Sequence, residues 1–285
     1  MFAHLGTELF RTYSLVLSSS AIAFRAYVQE SGWCIEVPVH QRREALRAVR
    51  LYLQENPPKR AAKPQPKMEH PGSTSAIFAA LILLSVQLAV ATEPHPQDLM
   101  AAFGADAGKI LNGELYRCVT ALLLHHGWPH LTANAVAVLL FGTFAVRLYG
   151  WGMAWLLMLL CGALGNYLAA VWYGGLHLSV GASTAIFGGV GLCAAAAFWR
   201  QLKSETQPWR AWLPLAAGLA LVGWLGTGPQ ADLVAHMTGF LSGLLIGGLW
   251  GWKVKRLPSG RVQTAAVGIV AGVVLGSWFW GYLTG

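Results

Sequence analysis

Ser183, His236, His130 and Asn134 are polar residues set in apolar stretches, and together they carry the parts of an acyl-transfer site. A serine hydroxyl is a weak nucleophile until a base takes its proton, and histidine is the commonest base. Side-chain N–H donors, joined by a backbone N–H, can hold the negative oxygen that forms when a carbonyl is attacked. Ser183 lies in Gly-Ala-Ser-Thr-Ala-Ile-Phe-Gly-Gly at 181–189, and His236 lies in Ala-His-Met-Thr-Gly at 235–239. His130 precedes Asn134 by four residues, so the two share one helix face. Taken singly, each has a plainer reading: a serine bonded to a backbone carbonyl, or a satisfied core histidine. Taken together, polar groups in hydrocarbon are costly and point to function.

Depth is what joins them. Apolar stretches near the ~20 residues that cross a bilayer run at roughly 76–92, 131–148, 152–172, 182–199, 211–227, 233–252 and 264–284. Ten of the twenty Lys and Arg precede residue 70. Alternate loops then hold Arg147, then Arg200, Lys203 and Arg210, then Lys253, Lys255, Arg256 and Arg261, whereas the others hold only Lys109 and Arg117. By the positive-inside rule the N-terminus is cytoplasmic, and seven crossings put the C-terminus outside. The second, fourth and sixth segments then all run inward. Their polar residues fall in one layer, within about two helical turns of the outer surface.

Composition supports this reading. The chain has 285 residues, 55% hydrophobic and 11% charged, against about 25% charged in a soluble domain. The net charge of +8 is concentrated ahead of the apolar body, so no basic surface for nucleic acid is expected. Cys34, Cys118, Cys161 and Cys193 form no C-x-x-C pair and read as small hydrophobes. No signal peptide is visible in residues 1–20.

Residues 1–56 read as a small soluble α+β domain. Leu5, Leu9, Tyr13 and Val16 recur at helical spacing, and 21–29 and 33–37 are β-prone runs broken at Glu30-Ser31-Gly32. Residues 39–54 are again helical, with Ala45, Leu46, Val49 and Leu53 on one face and Arg42, Arg43, Arg47 and Arg50 mostly off it. Those arginines suit a solvated face beside a membrane, or anionic headgroups. Residues 57–75, rich in Pro and Lys, read as an extended linker. The connection 93–130 reads as an interfacial segment, and the loop from Gly226 to Gln230 as a flexible lid.

Small residues at i+4 spacing, Ala235, Gly239, Gly243 and Gly247 on one segment and Gly181, Ala185 and Gly189 on another, permit close helix approach. That approach could bring Ser183 and His236 within hydrogen-bond reach. Asp232 is the one carboxylate near this layer, four residues before His236, so a Ser–His dyad is expected rather than a three-residue arrangement. A metal site on His125, His126 and His130 is the rival. It lacks converging support, because neighbouring side chains on a helix point apart.

These residues resemble the rhomboid family of intramembrane serine proteases. The likeness covers roughly residues 75–253: His130-x-x-x-Asn134, Gly-x-Ser at 181–183, Ala-His-x-x-Gly at 235–239, and Tyr116-Arg117 where the family usually has Trp-Arg. The resemblance implies Ser183 as nucleophile, His236 as general base, His130 and Asn134 as oxyanion stabilisers, and His125 as a structural histidine. It also implies transmembrane protein substrates, no cofactor and no metal. Three departures stand out. Thr184 replaces a usual glycine and could crowd the substrate. Phe187 replaces a frequent tyrosine and could stack on His236. Residues 264–284 add a seventh helix to a six-helix core.

The expected architecture is therefore an all-α polytopic membrane bundle, with a rhomboid-like core at 76–253 and an additional helix at 264–284. The small soluble domain precedes it. The expected function is intramembrane proteolysis at the inner (plasma) membrane. A catalytically silent member that escorts transmembrane helices is the alternative. A transporter is disfavoured, with no inverted repeat and no acidic residue mid-membrane.

Overall fold

The structure is a computed structural model that describes residues 2–29, 32–56, 72–203, 208–226, 231–253 and 257–284. The chain divides into two compact units, Met1–Lys67 and Met68–Gly285. Most of the expected linker, the break at Glu30-Ser31, the loop from Thr227 to Gln230 and the charges Lys255 and Arg256 lie outside the described residues.

The first unit runs β1 (Phe2–Leu5), α1 (Thr7–Ser19), β2 (Arg25–Gln29), β3 (Gly32–Glu36), a 3-10 turn at Val39–Gln41, and α2 (Arg42–Glu55). Its antiparallel sheet has the order β1-β3-β2. Leu5, Val16, Leu17, Ile22, Ile35, Ala45 and Val49 form its core. Two sequence expectations change here. Leu5 ends a strand rather than joining the helix, because Gly6 holds an extended backbone (φ −64°, ψ 159°) between the two elements. Leu46, 48% exposed, does not join Ala45 and Val49 on the buried face of α2.

The second unit begins with α3 (Gly72–Thr92), so residues 72–75 are helical rather than linker. The connection that follows is a folded insertion rather than one flat helix: α4 (Pro96–Phe103), β4 (Ala105–Asp106), α5 (Ala107–Leu111), α6 (Arg117–Thr120) and a 3-10 turn at Ala121–Leu123. Arg117 sits at its centre, fully buried. Its Nε donates to Glu114 Oε2 at 2.6 Å, and its Nη1 donates to the Ala101 and Gly104 carbonyls at 2.9 and 3.2 Å. A buried charge is tolerable when paired and hydrogen-bonded in this way. Burial works to raise the Glu114 pKa, but the bonds from Arg117 and Tyr116 outweigh it and hold the carboxyl low.

Next come α7 (Trp128–Ala137), a π-helical turn at Val138–Gly142 and α8 (Thr143–Tyr149), which together make one apolar rod. The remaining elements are α9 (Met153–Tyr173), β5 (Leu178–Ser179) paired with β4, α10 (Ser183–Leu202), α11 (Leu213–Leu225), α12 (Leu233–Lys253) and α13 (Gly260–Thr284). Six helices among the described residues are long and apolar enough to cross a membrane. The expected segment 211–227 is displaced two residues earlier, to Trp209–Leu225; it starts with a 3-10 turn and is shorter than those six helices.

α10 is the central helix, packed against α9 and α12. Its contact with α12 is backbone to backbone. A Cβ on Gly239 would meet the Thr184 carbonyl, one on Gly243 the Gly188 carbonyl, and one on Gly191 the Phe240 carbonyl. The α12 stripe read from sequence faces this contact, but the α10 stripe does not. Ala185 meets Gly162, and Gly189 meets Met158, both on α9. The residues that face α12 are Thr184, Gly188, Gly191 and Ala195, an adjacent face of the same helix.

α13 docks on the rest at both ends. Near its start, buried Gln263 accepts from the Gly152 and Met153 N–H groups, both at 2.8 Å, and donates to the Tyr149 carbonyl at 3.2 Å. Near its end, Trp278 stacks on Phe103 at 4.5 Å, and a Cβ on Gly281 would lie 2.7 Å from the Tyr116 ring.

Candidate active site

The segment leading into α10 is fixed residue by residue. Gly174 ends α9 in the left-handed region at φ 67°, a conformation that favours glycine. The chain then pairs β5 with β4, and the Gly181 N–H donates to the Ala121 carbonyl at 2.9 Å. Gly181 has φ +133°, and a Cβ there would stand 2.8 Å from His130 Cε1, so only glycine fits beneath that ring. The Ala182 N–H points to His125 Nε2 at 3.5 Å. Ser183 is the first residue of α10, where backbone N–H groups have no carbonyl partner within the helix.

His236 sits in the first turn of α12, its N–H donating to the Asp232 carbonyl at 2.9 Å. Its Nε2 lies 2.8 Å from Ser183 Oγ. Its ring packs on Phe187, centroid to centroid at 4.6 Å with a 37° tilt. A hydrogen-bonded serine and histidine of this kind can pass a proton from Oγ to Nε2.

Asp232 is not hydrogen-bonded to His236. Its Oδ1 accepts from the Ala235 N–H and the Tyr173 hydroxyl, both at 2.9 Å, and its Oδ2 is 2.7 Å from His177 Nε2. Burial pushes the Asp232 pKa up, but the Ala235 N–H, His177 and Tyr173 outweigh it and hold the carboxyl below the ordinary range. The arrangement around Ser183 is a pair, without a carboxylate on the base.

His130 and Asn134 rise from α7 beside the pair. The Asn134 amide is buried, and its Nδ2 donates to the His130 carbonyl at 2.9 Å within their own helix. An amide nitrogen carries two N–H donors, so the second remains for another acceptor. His130 packs edge-on to His125 at 5.2 Å and stacks with His126 at 5.8 Å. His125 is fully buried, and that burial, with His130 and His126 nearby, lowers its pKa to about 4. Among the described residues no group of three His, Cys, Asp or Glu is placed to hold a metal ion. Burial pushes the Cys118 thiol up to about 12, which suits an inert side chain.

A cavity of about 550 Å³ opens over the pair. His130, Asn134, Ser183 and His236 face it as polar groups, and Phe141, Ile186, Phe187 and Leu225 make its apolar wall. Thr184 is absent from that wall. It is 2% exposed, and its methyl packs against Gly165 and Gly239 in the α9–α10–α12 contact, so it does not crowd the cavity. Sequence reasoning missed Tyr173 and His177. They meet Asp232 only through folding, 59 and 55 residues away in the chain, and no local pattern marks them.

The sequence profile of the Rhomboid domain matches residues 112–253. The chain is 30% identical over 183 residues to Rhomboid-like protease 3 of Toxoplasma gondii, covering 62% of this chain and 68% of that one. The chain belongs to the rhomboid family. It is also 29% identical over 147 residues to the putative rhomboid protease YdcA of Bacillus subtilis (strain 168), covering 52% of this chain and 73% of that one. Inactive rhomboid protein 2 of Homo sapiens is 29% identical over 133 residues, covering 47% of this chain and 15% of that one. This rhomboid is a multi-pass membrane protein. Relatives named as proteases and one named inactive both stand within its reach, so the family alone does not assign activity.

Proposed function

We propose that this rhomboid is an intramembrane serine endopeptidase that hydrolyses peptide bonds in or near the transmembrane helices of other membrane proteins. The observation that carries the reading is the 2.8 Å contact between Ser183 Oγ and His236 Nε2 beneath a cavity of about 550 Å³. Ser183 Oγ attacks the scissile carbonyl carbon as its proton passes to His236 Nε2. The carbonyl oxygen takes the negative charge, and His130, the free Asn134 N–H and the Ser183 backbone N–H are the donors that receive it. The tetrahedral intermediate collapses, the proton on Nε2 goes to the leaving amine, and an acyl-enzyme remains on Ser183. Water, deprotonated by His236, then hydrolyses that ester. The apolar wall of Phe141, Ile186, Phe187 and Leu225 suits a substrate drawn from a membrane-spanning helix. No step calls for a cofactor or a metal.

The likeness to a human protein named inactive favours one second reading, a silent helix-binding protein. The presence and contact of both Ser183 and His236 favours activity instead. We further propose residues 1–56 as a soluble cytoplasmic domain, 57–71 as a linker, 72–253 as the catalytic core, its first helix starting at Gly72, and 264–284 as an additional helix. The N-terminus is cytoplasmic, and the site lies near the outer face of the inner (plasma) membrane, a placement supported by the eight basic residues beyond residue 70 assigned to inner loops against two in outer ones. The test is turnover of a model transmembrane substrate by purified wild type, Ser183→Ala and His236→Ala. Cleavage by wild type alone supports the proposal. Equal cleavage by either variant refutes the dyad, and no cleavage by any supports the silent reading.

A further inference from the structure

The segments that lead into the two helices bearing Ser183 and His236 are tied to each other. His177 stands six residues before Ser183, and Asp232 stands four before His236. His177 Nε2 and Asp232 Oδ2 are 2.7 Å apart. The last residue of α9, Tyr173, completes the tie: its hydroxyl donates to Asp232 Oδ1 at 2.9 Å, and its ring stacks on His177 at 3.6 Å. The backbone is held at the same points. The His177 carbonyl accepts from the Ala107 N–H at 2.8 Å, anchoring the α9–α10 segment to the insertion. The Asp232 carboxylate accepts from the Ala235 N–H, and its carbonyl accepts from the His236 N–H, both at 2.9 Å.

Asp232 therefore fixes the first turn of α12 from outside while pulling it toward the segment that ends at Ser183. Among the described residues no carboxylate is hydrogen-bonded to the His236 ring, so where the ring sits depends on where that turn sits, on the Phe187 stack, and on Gly226, where a Cβ would stand 3.1 Å from Nδ1. Proton transfer needs a heavy-atom separation of about 2.6–3.2 Å. A displacement near 1 Å at a catalytic contact can cost on the order of 100-fold in rate. The tie is compact and polar, and it is only partly buried: the side chains of His177 and Asp232 are 29% and 11% exposed.

We propose that Asp232, His177 and Tyr173 form a positioning cluster that sets the separation of Ser183 and His236. This rests on the protease reading above, and the cluster acts through the two helix lead-ins without touching substrate. A purely structural role would lower stability and leave turnover by the folded fraction intact. A positioning role acts on kcat, with KM and the fold retained.

The experiment uses full-length protein in proteoliposomes with a model transmembrane substrate, reading kcat, KM and melting temperature. Asp232→Ala is expected to lower kcat by roughly 10–100-fold with KM nearly unchanged. Asp232→Asn keeps an oxygen for the Ala235 N–H and the Tyr173 hydroxyl, so it is expected to recover most of that loss. Tyr173→Phe, which removes one hydroxyl, is expected to lower kcat several-fold and keeps the test open if Asp232→Ala does not fold. Wild-type kcat in folded Asp232→Ala, a loss confined to KM, or an Asn variant no better than Ala would each overturn the cluster. If Asp232→Ala does not fold, normal kcat in Tyr173→Phe overturns it. Ser183→Ala separates the two claims. Turnover that survives it overturns the dyad and the cluster together, whereas Ser183-dependent turnover indifferent to Asp232 overturns the cluster alone.

Discussion

Gly243 of α12 and Gly188 of α10 meet so closely that a Cβ on Gly243 would strike the Gly188 carbonyl. The same holds one turn earlier, where Gly239 faces the Thr184 carbonyl beside Ser183. Without side chains between them, the two backbones stay in van der Waals contact, and that contact carries His236 to Ser183.

The relationship makes a paired prediction. Gly243→Ala forces a methyl into backbone and is expected to destabilise the protein by about 1–3 kcal/mol, the usual range for overpacking, with a matching loss of activity. Gly248→Ala, whose Cβ would meet nothing within 4 Å, is expected to leave both unchanged. Thermal unfolding of the two variants in one detergent checks the contrast.

Asn134→Ala is expected to slow turnover more than it weakens substrate binding, because the charge its amide would meet exists only after attack. Losing one such donor typically costs on the order of 3 kcal/mol, and less where His130 and the Ser183 N–H remain. Among the described residues its side-chain hydrogen bond returns to the His130 carbonyl on the same helix, so the melting temperature should hardly move. A clear drop in melting temperature with unchanged kcat would rule the oxyanion role out.

The membrane bundle was legible in the sequence because long apolar runs leave few alternatives. Ser183, His236, His130 and Asn134 were conspicuous for the same reason, as polar side chains in hydrocarbon-compatible segments. What could not be read was which neighbour each face meets. The Gly181, Ala185 and Gly189 spacing was visible, yet Ala185 and Gly189 pack on α9, because i+4 spacing marks a face without naming its partner. Local periodicity also missed β1, where four residues suit a strand or a helix turn equally. Gln263 stands one residue ahead of the expected segment 264–284, where no local pattern marks it. Its three bonds go to residues more than a hundred positions earlier.

Gln263→Leu should expose the importance of those bonds. It leaves the Gly152 and Met153 N–H groups and the Tyr149 carbonyl without their side-chain partner at the turn between α8 and α9. Unsatisfied buried polar groups cost roughly 1–3 kcal/mol each, so a loss of at least ~2 kcal/mol is expected. Gln263→Glu keeps two acceptor oxygens but loses the donor to Tyr149, and should fall between. Unfolding midpoints of the three proteins provide the check.

His125 makes the stability depend on pH with a definite sign. Its folded pKa, about 4, lies below the ordinary 6.5, so between those values the unfolded chain binds a proton that the folded one does not. Its contribution is intact above about pH 6.5 and is lost as pH falls toward 4, at most about 3 kcal/mol. His125→Gln, which cannot titrate, should show a shallower fall in melting temperature across that window. Parallel curves for the variant and wild type would contradict this.

The central claim, that Ser183 is a nucleophile activated by His236, is tested most directly by covalent labelling. Purified full-length protein is treated with a fluorophosphonate, and the modified residue is located by mass spectrometry of the digested chain. A single adduct on Ser183 is predicted, absent from Ser183→Ala and strongly slowed in His236→Ala. No adduct on folded wild type, or labelling of Ser183 at an undiminished rate in His236→Ala, would contradict the account.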